Sequence, residues 1–214
     1  MRIYPLGLLI GILCATQIAL AESEKMSNAV AAASVAATRI QEFMTSATNS
    51  KYSLAVNRSL DDWKGSVLGA AYRPKRGRSI QDTTALVAGI GQIRKAQGTF
   101  MKGELSPSNC VVRLKYYEAP SAIALRKYFI EYVVPTYSAG MPPVNKTYGI
   151  GDTVLSWIDL DKATNRIQFI AFFNNVAMEF DITTDGGKSE IDTATLMRNL
   201  QHWATQGEGL NRGP

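Results

Sequence analysis

Residues 166–184 read RIQFIAFFNNVAMEFDITT, and this stretch decides the fold. Two runs rich in β-branched and aromatic residues flank Asn174-Asn175, and asparagine tolerates the positive φ angles of a tight two-residue turn. That turn sets four apolar pairs on one face of a hairpin: Phe173 with Val176, Ala171 with Met178, Phe169 with Phe180, and Ile167 with Ile182. The other face pairs Gln168 with Asp181 and Ile170 with Glu179. A shift by one residue would mix the two faces, so the sequence specifies the register.

The segments around the hairpin predict more strands and two helices. Alternating residues from Val111 to Tyr116 indicate a strand, and Thr153 to Leu160 indicate another. Helices are predicted from Pro120 to Val133 and from about Ser189 to Thr205. The last helix carries an apolar stripe suited to covering the apolar face of the hairpin: Leu196, Met197, Leu200 and Trp203. We therefore predict an α+β domain over residues 106–206, an antiparallel sheet of about four strands with helices on one face.

The residues before this domain, 22–105, predict a helical N-terminal region. Residues 23–48 carry an apolar seam with spacings of four and three: Met26, Val30, Ala33, Ala37, Ile40 and Met44. The seam fits either a coiled coil with another chain or, as we favour, a helix packed along its own domain. Ser59 to about Tyr72 predicts a second helix, and Ser79 with Asp82 predicts the start of a third. Residues 207–214 are expected to form a flexible tail.

Three features of the C-terminal half resemble exported bacterial sensor-like and lipoprotein domains of unknown function. These are the strand after Gly151-Asp152, the hairpin with its asparagine turn, and the closing helix. The resemblance implies an exported α+β domain and assigns no functional residue.

The first 21 residues have the order of a cleavable signal peptide. Arg2 precedes an apolar stretch from Leu6 to Ala15, and the small residues Ala19 and Ala21 precede a cleavage point before Glu22. An uncleaved membrane anchor is the alternative, but the apolar stretch is shorter than the roughly 20 residues that span a bilayer. We therefore expect export to the periplasm or the medium, with no transmembrane segment after cleavage.

Cleavage would leave Cys110 as the only cysteine. No intrachain disulfide could then form, so Cys110 is either buried or paired with another chain. Its position at the start of an apolar strand favours burial. An exported domain without disulfides fits a bacterial periplasm better than a disulfide-stapled secreted module.

One stretch of the sequence concentrates positive charge. Arg73, Lys75, Arg76 and Arg78 fall within six residues that also contain a proline and a glycine. Such a segment is either a solvated loop or a contact for an anionic lipid surface, an envelope polymer or an acidic protein. The net charge of +5 is too small to indicate nucleic acid, and we expect none as a partner.

A candidate ligand pocket lies on the second face of the predicted sheet, under the proline- and glycine-rich loop 135–149. Its expected lining is Tyr137, Met141, Tyr148 and Trp157. Aromatic residues are core residues by default, and a long loop of this composition is often functional.

The sequence argues against several kinds of catalysis. His202 is the only histidine and falls on the last helix, where a surface position is expected. One histidine and one or two cysteines do not make the usual zinc sites, and no nucleophile elbow is present. Asp159 and Asp161 with Asn165 fit a hairpin turn better than a calcium loop. We expect neither a metal nor a cofactor.

These observations favour an exported, non-enzymatic binding or accessory domain of the bacterial cell envelope. A structural or oligomerising envelope protein that acts through helix 23–48 is one alternative. A hydrolase that uses carboxylates alone, such as Asp159 and Asp161, is the other.

Overall fold

The computed structural model describes residues 6–52, 68, 72–75, 79–102, 110–137, 140–145, 150–156, 166–184, 196, 198, 199 and 202. The chain divides into two compact units, residues 1–39 and residues 40–214. The first unit is part of the long helix α1 (Leu6–Thr48), which contains the predicted helix over residues 23–48. In this unit Met26 and Val30 are each 70 % exposed, and pairing of their seam with another chain stays a prediction.

Within its described residues, the second unit holds an antiparallel sheet of eight strands, more than the four or so that were predicted. The strands are β1 (Tyr72–Pro74), β2 (Gln81–Val87), β3 (Gly91–Lys102), β4 (Cys110–Glu118), β5 (Val144–Asn145), β6 (Thr153–Ser156), β7 (Arg166–Phe173) and β8 (Val176–Thr184). Their spatial order is β1-β3-β4-β8-β7-β6-β5, and β2 pairs with the same edge of β3 as β1 does. The α+β class is thus confirmed.

The hairpin of β7 and β8 has the predicted register. Phe169 opposes Phe180, Ile167 opposes Ile182, and Asn174 has a φ of 53° in the turn. The rings of Phe169 and Phe180 are stacked with their centroids 4.8 Å apart, and both side chains are fully buried. This face, called the first face, also buries Leu196 of the C-terminal helical segment. Met197, Leu200 and Trp203, the other predicted covering residues, lie outside the described part of the chain.

The opposite face of the sheet, called the second face, is also covered by helix over part of its area. Phe172 lies under Phe43 of α1 and under Phe129, with ring centroids 4.9 and 4.8 Å away. Phe129 begins a π-helical turn (Phe129–Val133) that continues α2 (Ala122–Tyr128). Ser121 caps α2, since its side chain accepts a hydrogen bond from the amide of Ala124. The prediction that helices pack on only one face of the sheet was therefore wrong. Ile170 and Phe172 make this part of the second face apolar as well.

The helix predicted from Ser79 is also wrong. Residues 81–102 form the hairpin of β2 and β3, with Gly89 and Gly91 at φ angles of 72° and 108° in and after its turn. Those φ angles suit glycine and end any helix, so the two glycines mark a turn between strands. Tyr72 begins β1 instead of ending a helix, and residues 59–67 lie outside the described residues. Strands within residues 72–102 thus replace much of the helical region predicted over 22–105.

Cys110 is a free, fully buried cysteine, which confirms the favoured interpretation. Its Sγ atom accepts a hydrogen bond from the Tyr72 hydroxyl at 3.7 Å. This contact joins β1 to β4 on the first face, across β3.

A buried ion pair joins α2 to the turn before β6. Arg126 has no exposed surface, and its Nη2 atom lies 3.5 Å from Oδ2 of Asp152. The guanidinium lies over the Phe172 ring, 4.3 Å from its centroid. Burial lowers the pKa of Arg126 to about 10, with Asp152 opposing the shift. Because that value is still well above neutrality, Arg126 is charged at pH 7 and requires the Asp152 carboxylate.

Candidate anion-binding face

The second face changes from apolar to polar along the strands. Cross-strand pairing aligns Lys75, Thr99, Arg113, Asp181 and Gln168 in one polar row. The neighbouring row contains Gln81, Gln97, Lys115 and Glu179, and ends at the apolar Ile170. Among the described residues, helices cover the apolar half of this face, whereas the Arg113, Lys115 and Arg166 side chains of the polar half retain exposed surface.

Positive charge predominates on this polar half. We call it the basic face and define it by six cations: Arg73, Lys75, Lys95, Arg113, Lys115 and Arg166. Two carboxylates, Glu179 and Asp181, lie on the same face among the described residues. The Arg113 and Arg166 side chains are 61 % and 52 % exposed. Among the described residues, the six cations of this face therefore outnumber its two carboxylates.

Asp181 is shared by two exposed arginines. Its Oδ2 atom lies 3.3 Å from Nη1 of Arg113, and its Oδ1 atom lies 2.8 Å from Nε of Arg166. Ion pairs with exposed partners contribute little, about 0–1 kcal/mol. Both arginines can thus turn toward an anionic ligand at small cost.

Glu179 has a different role because it is buried. Its Oε1 atom lies 2.7 Å from Lys115 Nζ and accepts a hydrogen bond from the Tyr137 hydroxyl, also at 2.7 Å. Its Oε2 atom accepts a hydrogen bond from the Tyr117 hydroxyl at 3.1 Å. Burial, and next the charge of Glu179, raise the pKa of both tyrosines, so they remain hydrogen-bond donors throughout the neutral range. The cluster thus fixes the position of the Lys115 ammonium group.

Lys95, like Arg73 and Lys75, has no carboxylate partner in the described part of the chain, whereas Arg113, Lys115 and Arg166 do. Its Nζ atom lies 5.7 Å from the centroid of the Tyr117 ring. Burial, and next the charge of Lys115, lower its pKa, while Glu179 opposes the shift. An anion that bound between the two lysines would relieve this repulsion.

A groove of about 390 Å³ opens on the basic face beside β2 and β3. Its charged lining residues, among those the structure describes, are Arg113 and Lys115. The remaining lining residues are uncharged, and four of them carry hydroxyl or amide groups: Ser79, Gln81, Gln97 and Thr99. This chemistry suits an anionic ligand that also carries hydrogen-bonding groups.

The structure brings half of the predicted basic segment to this groove. Lys75 donates its backbone N–H to Thr99 O at 2.9 Å, and Gln81 already opposes Gln97. Lys75 and Gln81 therefore pair with β3 two positions apart, at two residues that line the groove. Arg73 and Lys75 are exposed, whereas Arg76 and Arg78 lie outside the described residues.

The predicted pocket residues lie at the border of the basic face where they are described. Tyr137 bonds to Glu179, and Met141 packs with it against the apolar cluster of the second face. Tyr148 and Trp157 lie outside the described residues, as do Asp159 and Asp161. The pocket under loop 135–149 thus stays a prediction.

Lys95, Arg113, Lys115 and Arg166 were absent from the predicted site. Arg113 and Lys115 alternate with apolar residues in β4, a pattern that placed them on a common face. Their meeting with Arg73 and Lys75 depends on β1 pairing with β3, which the sequence did not indicate. His202, by contrast, is exposed and helical as predicted.

No family model, curated protein or solved structure matches this chain. Within the described residues, no group of three histidine, cysteine, aspartate or glutamate side chains is placed to hold a metal ion. Nor is any helix of the described residues sufficiently long and apolar to traverse a membrane. The geometry and charge of the basic face are therefore the features of this chain that point to a function.

Proposed function

We propose that this chain is an exported, non-enzymatic binding domain of the bacterial cell envelope that recognises an anionic ligand on its basic face. The observation that carries the proposal is the groove whose described charged lining is cationic, flanked by the exposed Arg73 and Lys75. The order of residues 1–21 supports export, and intact-mass measurement shows whether the purified chain begins at Glu22.

Recognition would be electrostatic in origin. Each cation near an anionic surface contributes about 1 kcal/mol, so six cations against two carboxylates favour a polyanion over a neutral polymer. Glu179 contributes indirectly, because the Tyr117 and Tyr137 hydroxyls fix its carboxylate, which in turn holds Lys115 at the groove. Such binding weakens as salt rises, because bound counterions are released.

Arg113→Gln is expected to lower the affinity for polygalacturonate about fivefold, which corresponds to about 1 kcal/mol. The slope of log affinity against log salt is expected to fall in magnitude by about one, since one cation is lost. Titration calorimetry over a salt series measures both quantities, with neutral dextran as the control polymer.

Two matched comparisons, one between arginine variants and one between aspartate variants, test whether the location of the charge matters. Arg94→Gln removes an arginine from the first face, where Arg94 pairs with Asp82 at 2.6 Å, and should leave affinity unchanged. Asp181→Asn removes a carboxylate from the basic face and should strengthen binding by a similar factor, whereas Asp82→Asn should not. Equal effects of Arg113→Gln and Arg94→Gln, in proteins with unchanged thermal unfolding, would contradict the proposal.

A further inference from the structure

The exposed cations of the basic face are spread over a distance longer than a small ligand. Lys75 and Arg113 are both aligned with Thr99, on opposite sides of β3. Neighbouring strands are about 4.8 Å apart, so their Cα atoms are about 10 Å apart across the strands. Arg166 lies two further strands away, on β7, so the Cα atoms of Lys75 and Arg166 are about 19 Å apart across the sheet, whereas the Arg113 and Arg166 guanidinium groups meet at Asp181.

The groove adds a second kind of selectivity. Its uncharged lining side chains offer hydroxyl and amide groups that can donate and accept hydrogen bonds: Ser79, Gln81, Gln97 and Thr99. Such groups match the hydroxyls of a saccharide. The Gln97 amide already donates a hydrogen bond to the Gln81 carbonyl, and the remaining donors and acceptors of the groove lie between side chains, where a flat bilayer surface does not reach them.

Building on the proposed function, we infer that the ligand is an acidic polysaccharide that lies across the strands, with its charges near Lys75, Arg113 and Arg166 and its hydroxyls in the groove. A chain in this direction contacts β1, β3, β4, β8 and β7 in succession. Length then determines affinity, because a short oligomer that binds the Arg113 and Arg166 guanidinium groups, which meet at Asp181, does not also reach Lys75.

The test compares a galacturonate disaccharide with a longer oligomer whose extended length exceeds about 19 Å. Lys75→Gln is expected to weaken binding of the longer oligomer about fivefold and to leave the disaccharide unchanged. Arg166→Gln is the matched variant and should weaken both by a similar factor. Equal effects of Lys75→Gln on both lengths would overturn the crossing direction.

Two further probes test the chemistry of the ligand. Polyphosphate, which lacks hydroxyls, should bind more weakly than the galacturonate oligomer of equal charge, and equal affinity would overturn the saccharide inference. Phosphatidylglycerol vesicles that bind in an Arg113-dependent way, with no binding of either saccharide, would overturn it in favour of a membrane surface. If no polyanion binds, the proposed function itself fails. Binding that is independent of length removes only this inference.

Discussion

Replacing Gly151 with alanine is expected to destabilise the protein by at least about 3 kcal/mol. Gly151 has a φ of 61°, and a Cβ atom there would lie 2.3 Å from the backbone oxygen of Phe172. The clash is with the central strand β7, whose backbone cannot move aside without breaking the pairing with β6. Chemical denaturation of the variant measures the loss.

Gly140→Ala is the control because it also places a side chain at a positive φ angle but produces no clash with the backbone. Gly140 has a φ of 67°, but nothing lies within 4 Å of the position of its Cβ atom. Only the cost of a left-handed conformation then applies, about 1 kcal/mol. Equal losses in the two variants would show that the close approach to Phe172 does not matter.

Asp152→Asn is expected to cost about 3 kcal/mol, because it leaves the Arg126 cation buried without a countercharge. Asp152 also accepts hydrogen bonds from two backbone amides, those of Asn174 at 2.6 Å and Lys51 at 3.3 Å. The carboxylate therefore connects the hairpin turn, the segment after α1 and Arg126. Denaturation with urea measures the change in the free energy of unfolding.

Asp181→Asn supplies the comparison, since it is the same substitution in a pair whose arginines are exposed. Its expected cost is at most about 1 kcal/mol. Adding Arg126→Met to Asp152→Asn should restore part of the lost stability, because the unpaired charge is then gone. A loss in Asp152→Asn no larger than that in Asp181→Asn would contradict the role assigned to the buried pair.

The β7–β8 hairpin could be predicted because its information is local. The turn at Asn174-Asn175 and the segregation of apolar pairs around it leave one register consistent with a buried face. Burial of Phe169 and Phe180 beneath the C-terminal segment follows from that register. The α+β class follows from the same reasoning, because the strand and helix patterns of residues 110–133 are also local.

The β2–β3 hairpin was missed for a physical reason. Most of β2 is exposed on both faces, so its residues lack the alternation that marks a half-buried strand. Apolar residues such as Leu86, Ile90 and Ile93 also fit a helical spacing, and the glycines at 89 and 91 were treated as defects in a helix. Two glycines so close together are better explained by a reversal between strands.

The candidate site was predicted only in part because it depends on pairing between distant segments. Arg73 and Lys75 were identified from their concentration of charge, and Tyr137 from the composition of its loop. Arg113 and Arg166 lie in neither a cluster of charge nor a loop of unusual composition, and a single exposed arginine in a strand is common. They share one surface with Arg73 and Lys75 because β1, β4 and β7 belong to the same sheet.

The central claim is that an anionic ligand binds on the basic face. NMR observation of the arginine Nε–Hε groups during titration with the longer galacturonate oligomer tests it most directly. The signals of Arg113 and Arg166 should shift, while those of Arg94 on the first face and of the buried Arg126 should not. Shifts confined to Arg94, or unchanged signals from all four arginines at saturating oligomer, would contradict the claim.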